Sequence, residues 1–510
     1  MCKTFCRLSA SPALTYNRKV SPISKRIDTL LWALCILGIG LVNVPDVCAQ
    51  DGGEHPFHYG FHTTTHATLH GTTPFWHHAN TYGRISSQSR ANSLTGIRGE
   101  LPSYTWRGVD IAAGAELTAR MSDTDNTAHF TELYGSLQYH GIRLQVGRFK
   151  HATGLYDEKL SMGSMLVSRN ATPVPKIELA TSEYIDVPLS DGNLQFKIYW
   201  SEGLLEENRH IEYARLHQKA LHFKIPIGTS FDLRAGLTQS TQWGGEDPGG
   251  KDLSLQFWEY VGLMLHYNGG RWENTLASYD IATKIARQDW SFIAYREIFM
   301  EDVFFLRSPW DGLWGLSVNS KKESKKWVNK LTYEFVNTIQ QDALAGLPKG
   351  RARYYTHHTY RSGWTYHGNV IGNPLIRNPQ YRASGDARDD EPNLMIIAHH
   401  LGMAGRPTPR FSYKAHFTYS RNYGICQNQI ISGSGGCRIK SSDTVPPDLE
   451  TIPRSELRQD QYATLLDARY LLSEAYGLRL RSSVAVDWGE FDGTQIGFIL
   501  GLQWDGTISL

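Results

Sequence analysis

Ile496-Gly497-Phe498-Ile499-Leu500-Gly501-Leu502-Gln503-Trp504-Asp505 alternates along its whole length. Ile496, Phe498, Leu500, Leu502 and Trp504 fall on one side, and Gly497, Ile499, Gly501, Gln503 and Asp505 on the other. A period of two places these sets on opposite faces of a β-strand. Just upstream, Leu478, Leu480, Val484, Val486 and Trp488 alternate with Arg479, Arg481, Ser483, Ala485 and Asp487; Ser482 alone interrupts the apolar face. The link between them, Gly489-Glu490-Phe491-Asp492-Gly493, is short and rich in turn formers, so the pair reads as a hairpin. A preceding strand sets Tyr462, Thr464, Leu466, Ala468 and Tyr470 against Asp467 and Arg469.

The pattern recurs far from this end. Ile142, Leu144 and Val146 oppose Arg143, Gln145 and Gly147; Leu194, Phe196 and Ile198 oppose Gln195, Lys197 and Tyr199; Leu331, Tyr333 and Phe335 oppose Thr332 and Glu334. One greasy face and one polar, often charged face, over about ten residues at a time, is the mark of a transmembrane antiparallel β-barrel. Soluble sandwiches and propellers also alternate, but strand length and the charge on the polar face favour the barrel. At about 25 residues per strand with its loop, the chain has room for roughly 16 to 20 strands. Two stretches break the pattern. Leu204 to Ala220 reads as a polar helix and Ile281 to Phe299 as a further helical segment, both expected in loops or on the periplasmic side.

The first 49 residues stand apart. Arg18, Lys19, Lys25 and Arg26 precede an apolar run from Leu30 to Val42, and Val47-Cys48-Ala49 offers small residues for cleavage. The run is too short to span a bilayer and suits a signal peptide over residues 1–49, with the barrel occupying residues 50–510. Removing the leader leaves 46 basic against 48 acidic residues and two of the six cysteines, Cys426 and Cys437. That near balance gives no Lys/Arg field for nucleic acid, so nucleic acid is not an expected partner. No later segment reaches 18 apolar residues, so no helical span is expected.

Chemistry-bearing motifs are sparse. The sequence contains no Gly-x-Ser-x-Gly elbow, no His-Glu-x-x-His and no phosphate-binding loop. His55, His58, His62, His66 and His70 recur every three or four residues, but the interleaved threonines favour a strand. On a strand His58, His62, His66 and His70 share the polar face about 13 Å apart, too far to chelate one ion together. Neither catalysis, a metal nor a cofactor is expected.

Several motifs in order along the chain carry a family resemblance. They are Pro74-Phe75-Trp76, Asn80-Thr81-Tyr82-Gly83, Ser168-Arg169-Asn170-Ala171-Thr172-Pro173-Val174-Pro175 and Ser308-Pro309-Trp310-Asp311-Gly312-Leu313-Trp314-Gly315. Tyr333-Glu334-Phe335-Val336-Asn337-Thr338, the long stretch Tyr360 to Pro374, and His399-His400-Leu401-Gly402 follow. The series resembles the Wzi capsule-assembly proteins across nearly all of the mature chain. The resemblance implies an outer-membrane barrel of about 18 strands with short periplasmic helices. It also implies a lectin-like role that anchors capsular or other exported polysaccharide at the cell surface without catalysis, with outer-membrane lipid as the surrounding partner. The runner-up reading is a diffusion channel for small solutes or oligosaccharides, and a barrel hydrolase comes third.

Sugars are held by aromatic faces and fixed hydrogen-bonding groups. Trp364, Tyr366, His367 and Asn373 supply both within one stretch and are the candidate ligand-binding residues. The competing reading makes Gly363, Gly368, Gly372 and Pro374 a bend, with the aromatics as packing. The turn-rich stretch from Gly424 to Pro446 holds the two remaining cysteines, which in an exported chain read as one Cys426–Cys437 disulfide in a surface loop. Closing a loop of about 12 residues contributes on the order of 3 kcal/mol in the chain-entropy model. Thiol labelling of the unreduced, denatured mature protein is expected to find no reactive cysteine; two labelled thiols would rule the bond out.

Overall fold

The structure, a computed structural model, describes residues 56–155, 159–265, 273–301, 308–322, 326–340, 354–377, 393–424, 430–431, 436–437, 452–453 and 458–509. Its wall opens with β1 (Pro56–His70), β2 (Ala91–Trp106), β3 (Val109–Ser122), β4 (Asn126–Tyr139), β5 (Ile142–Arg148) and β6 (Lys176–Thr181, resumed at Ile185–Asp186). It continues through β7 (Gln195–Leu204), β8 (Arg215–Ile227), β9 (Phe231–Trp243), β10 (Asn274–Ala286), β11 (Trp290–Glu301) and β12 (Gly312–Ser320). It ends with β13 (Lys326–Asn337), β14 (Ile396–Arg406), β15 (Phe411–Asn422), β16 (Gln459–Ser473), β17 (Leu478–Gly489) and β18 (Gln495–Ser509). Every pairing is antiparallel between chain neighbours, and β1 pairs with β18 with Phe61 opposite Trp504. The sheet therefore closes on itself as an 18-strand barrel with no free edge.

The alternation read from the sequence sorts side chains between two solvents. Phe498, Leu500, Leu502 and Trp504 face outward and are exposed, while Ile499 is buried inside. On β13, Leu331 and Tyr333 are exposed outside and Thr332 and Glu334 are wholly buried inside. An outward apolar belt meets lipid, and the polar lumen needs partners of its own. At the rim carrying the long connections, Tyr419, Tyr462 and Trp488 of adjacent strands stack in sequence at 5.0 and 5.2 Å, an aromatic girdle element. At the other rim the turns are tight. Arg107-Gly108 and His140-Gly141 each make a two-residue hairpin with both residues at positive φ, the geometry that matches strand twist. Short turns and both ends of the wall share this rim, which is the periplasmic one in outer-membrane barrels.

The two expected helical stretches are strands and connections instead. Leu204 to Ala220 holds a loop and the start of β8, where Leu216 and Gln218 point inward while Leu221, Phe223 and Ile225 further on point outward. Its charged residues are not a solvated helix face, for Arg209 is buried against the barrel's contents. Ile281 to Phe299 spans the β10–β11 hairpin, where β-branched and aromatic residues at alternate positions win over helical spacing. The helices among the described residues are α1 (Phe75–His78) and α2 (Phe257–Leu265). Both belong to connections at the long-loop rim, not to the periplasmic side expected for them. Cys426 and the side chain of Cys437 lie outside the described residues.

Leu500 is 60% exposed on the outer face near the middle of β18. Leu500→Arg is expected to cost about 2–4 kcal/mol if it sits at the bilayer midplane. Folding into lipid vesicles, read by the shift in gel migration between unheated and boiled samples, checks this; undiminished folding would place Leu500 away from lipid.

Candidate functional site

Three connections from the long-loop rim fold back into the lumen and form a plug. They run over residues 71–90, 149–155 with 159–175, and 354–377, and they bind one another mainly through backbone carbonyls. Ser168 N–H donates to the Ile371 carbonyl at 2.8 Å, and Asn170 Nδ2 to the Val370 carbonyl at 3.0 Å. Asn80 Nδ2 donates to the Met162 carbonyl at 2.8 Å, and Tyr82 N–H to the Arg169 carbonyl at 2.6 Å. Gly372 lets the segments approach this closely: a Cβ there would lie 2.1 Å from the Tyr355 hydroxyl and 2.4 Å from the Met165 carbonyl.

Buried carboxylates on the wall seat the first and middle segments. Glu334 of β13 accepts from Ser161 Oγ at 2.5 Å, Met162 N–H at 2.7 Å and the Tyr295 hydroxyl at 2.6 Å. Glu297 of β11 accepts from Ser164 Oγ at 2.7 Å and Met165 N–H at 3.0 Å. Asp487 of β17 accepts from Phe75 N–H at 2.6 Å, at the start of α1. A loop inside a barrel must have its backbone donors satisfied, and a carboxyl group, with several lone pairs, accepts from more than one of them.

A directed chain of hydrogen bonds fixes the other side. Trp76 Nε1 donates to Thr418 Oγ1 at 3.1 Å, and the Thr418 hydroxyl reaches His400 Nδ1 at 2.8 Å. His400 Nε2–H then donates to the Leu160 carbonyl at 2.8 Å, which leaves Nδ1 as acceptor and closes the sequence of donors. The Trp76 ring also stacks on His416 at 4.4 Å.

The four candidate residues sit as follows. Trp364 is fully buried and its indole N–H donates to the Leu166 carbonyl at 2.8 Å. Tyr366 is buried, its hydroxyl accepting from Arg148 at 2.9 Å. Asn373 is fully buried, donates to the Gly163 carbonyl at 2.9 Å and takes its neighbour Leu375 N–H at 3.1 Å. His367 is exposed, at positive φ in the turn of a small ribbon that pairs Thr365–Tyr366 with Asn369–Val370. Three of the four thus meet within the plug, and the fourth looks outward from its turn. Arg209 reaches the same ribbon, donating to the carbonyls of Thr365 at 3.0 Å and Gly363 at 3.2 Å.

Sequence reasoning left the wall seats unassigned. Glu334 and Asp487 carried one signal, a carboxylate on the polar face of a predicted strand, but nothing local shows that a distant loop will use it. Near these seats His77 of α1 is buried, its Nε2 3.2 Å from Ser483 Oγ, and burial, with neighbouring His66 and Arg481, lowers its pKa from 6.5 to about 3. The unfolded chain therefore binds this proton first as pH falls. The contribution is complete above about pH 6.5 and drains away as pH drops toward 3. Thermal unfolding of the detergent-solubilised barrel, followed by tryptophan fluorescence, is expected to shift downward between pH 6.5 and 4. The shift should be smaller in His77→Gln; an identical pH slope in the two proteins would exclude His77 as a contributor.

The family model described as Capsule assembly protein Wzi matches residues 49–380. No curated protein matches the chain. Among solved structures, Escherichia coli Wzi is described as an outer-membrane protein involved in group 1 capsule assembly and a carbohydrate-binding β-barrel. It aligns with a TM-score of 0.53 at 14% identity, over 88% of this chain and 84% of its own. OccAB4 of Acinetobacter baumannii aligns at 0.44 with 7% identity, over 89% of this chain and 99% of its own. OprD of Pseudomonas aeruginosa aligns at 0.43 with 10% identity, over 90% and 98%. The ordered motifs read from the sequence build the plug and its seats on a closed 18-strand wall, and the family model covers well over half of the chain. The chain belongs to the Wzi capsule-assembly family.

Proposed function

We propose that this protein holds exported polysaccharide at the surface of the bacterial outer membrane, by binding and without turnover. The observation that carries the reading is the plug. Buried wall carboxylates hydrogen-bond its backbone on one side and the Trp76–Thr418–His400–Leu160 chain pins it on the other. A lumen occupied this way serves presentation of the outer loops better than passage of solutes, so it favours the anchoring role over a diffusion channel. Membership of a capsule-assembly family supports the same reading, and polysaccharide is the matching partner. Within the plug, Trp364, Tyr366 and Asn373 act by holding its shape, and His367 is the one of the four open to a ligand.

Deleting the protein is expected to leave total polysaccharide synthesis unchanged and to move polymer from the cell surface into the medium. Equal amounts of cell-attached polymer in deletion and parent strains would overturn the reading. A steady open conductance of the purified barrel in planar bilayers would favour the channel instead.

A further inference from the structure

Between the plug and the periplasmic rim the lumen keeps a cavity of about 320 Å³. That volume lies at the lower end of small-molecule sites. We propose that this cavity binds an acidic saccharide, one that carries carboxylate groups and reaches it from the periplasm. The proposal rests on the polysaccharide-binding reading only in taking a sugar as the ligand; the charge of the site stands by itself.

Seven Lys or Arg side chains line the cavity, against the carboxylates of Glu116 and Asp505. Most of the cations already have partners. Arg84 pairs with Glu116 at 2.9 Å, Arg98 with Asp505 at 2.9 Å, and Lys150 with Glu132 at 2.7 Å. Asp467 serves both Arg481 at 2.6 Å and Arg469 at 3.5 Å. Arg169 of the plug and Lys414 of β15 line the same cavity; Lys414 stands opposite Asp467 in the β15–β16 register, so that one carboxylate faces three cations, and Arg169 has no ion pair among the described residues. With Arg479, which also pairs with Asp505 at 2.8 Å, eight cations thus share four carboxylates, inside a wall whose low dielectric strengthens every uncompensated charge. An anionic ligand completes this set; a neutral one leaves it as it is.

The remaining lining suits a sugar ring. Tyr82 presents an aromatic ring with Arg84 and Lys150 at 5.8 and 5.6 Å from its centroid. Asn80 Oδ1, buried and with no hydrogen bond among the described residues, adds an acceptor for a sugar hydroxyl. Side-chain exposure marks the way in. On β16 it rises from 1% at Asp467 to 44% at Arg469, and on β17 from 25% at Arg481 to 39% at Arg479, in each case toward the short-turn rim. The mouth therefore faces the periplasm and the plug is the roof.

The test uses the folded full barrel in detergent, with binding of digalacturonate, its neutral digalactose counterpart and inorganic phosphate measured by calorimetry. Digalacturonate is expected to bind and digalactose not. The double variant Arg169→Gln/Lys414→Gln is expected to weaken digalacturonate by about tenfold or more, as loss of charge-assisted bonds should. Unchanged gel heat-modifiability shows that this variant is folded, and Arg169→Lys/Lys414→Arg should retain binding. Absent digalacturonate binding, equal binding of digalactose, or undiminished affinity in the folded double variant would each overturn the proposal. Phosphate binding tighter than digalacturonate would overturn the saccharide assignment in favour of a phosphate. If the deletion strain sheds polymer but no acidic probe binds, the anchoring reading stands and this site falls. If the probe binds and the deletion strain keeps its polymer, the reverse holds.

Discussion

Hydrogen bonding between the wall's buried carboxylates and the plug's backbone is the constraint on which the rest of the molecule depends. A closed barrel satisfies its own backbone through pairing between strands, but a loop folded into the lumen has no such ladder. Glu297, Glu334 and Asp487 supply the missing acceptors, each on a different strand, and each meets a plug N–H at 3.0 Å or less. Every such carboxylate is desolvated on a wall whose other side faces lipid, so it is tolerable only while its donors are in place. Plug and wall are therefore mutually required: neither has an internally satisfied structure without the other.

The same logic divides the wall into two halves. Toward the long-loop rim the inward residues are acceptors and small hydroxyls that take up the plug, such as Thr418, Glu334 and Glu297. Toward the periplasmic rim they become Arg469, Arg479 and Arg481, arranged in ion pairs around open space. The outer face is indifferent to this change and remains a continuous apolar belt. One strand can therefore serve lipid, a folded loop and an aqueous vestibule, because the period of two separates the lipid side from the other two.

How much of this the sequence disclosed follows from how local each cause is. The last three strands were legible because their alternation is broken only at Ser482 and their turns are short. Leu204 to Ala220 was not, because Arg209 and Glu206 pair with each other at 3.2 Å within a connection that serves the plug, which mimics a helix's charge spacing. Ile281 to Phe299 hid a hairpin because the turn between Ala286 and Trp290 lacks glycine and proline. The plug itself has no period to read. Its residues showed only as ordered motifs, and the aromatic–amide group at Trp364, Tyr366 and Asn373 looked like a sugar site because the same groups that hold a sugar also satisfy a buried backbone. The plug partner of Glu334, Ser161, lies 173 residues away, beyond any window of sequence.

The bond from Phe75 N–H to Asp487 joins residues 412 apart, with α1 near the start of the wall and its acceptor on the penultimate strand. An early loop thus waits for the last hairpin before it can be seated. Forming contacts of such high separation is slow, because most of the chain must be ordered before they yield any stabilisation. The β1–β18 seam closes at the same stage and would then trap the lumen's contents. Assembly of this barrel therefore has a late, collective step in which the seam and the first plug segment lock together. Until that step an unseated α1 exposes Phe75 and Trp76, so a chain halted there is the species most prone to aggregate or to be degraded.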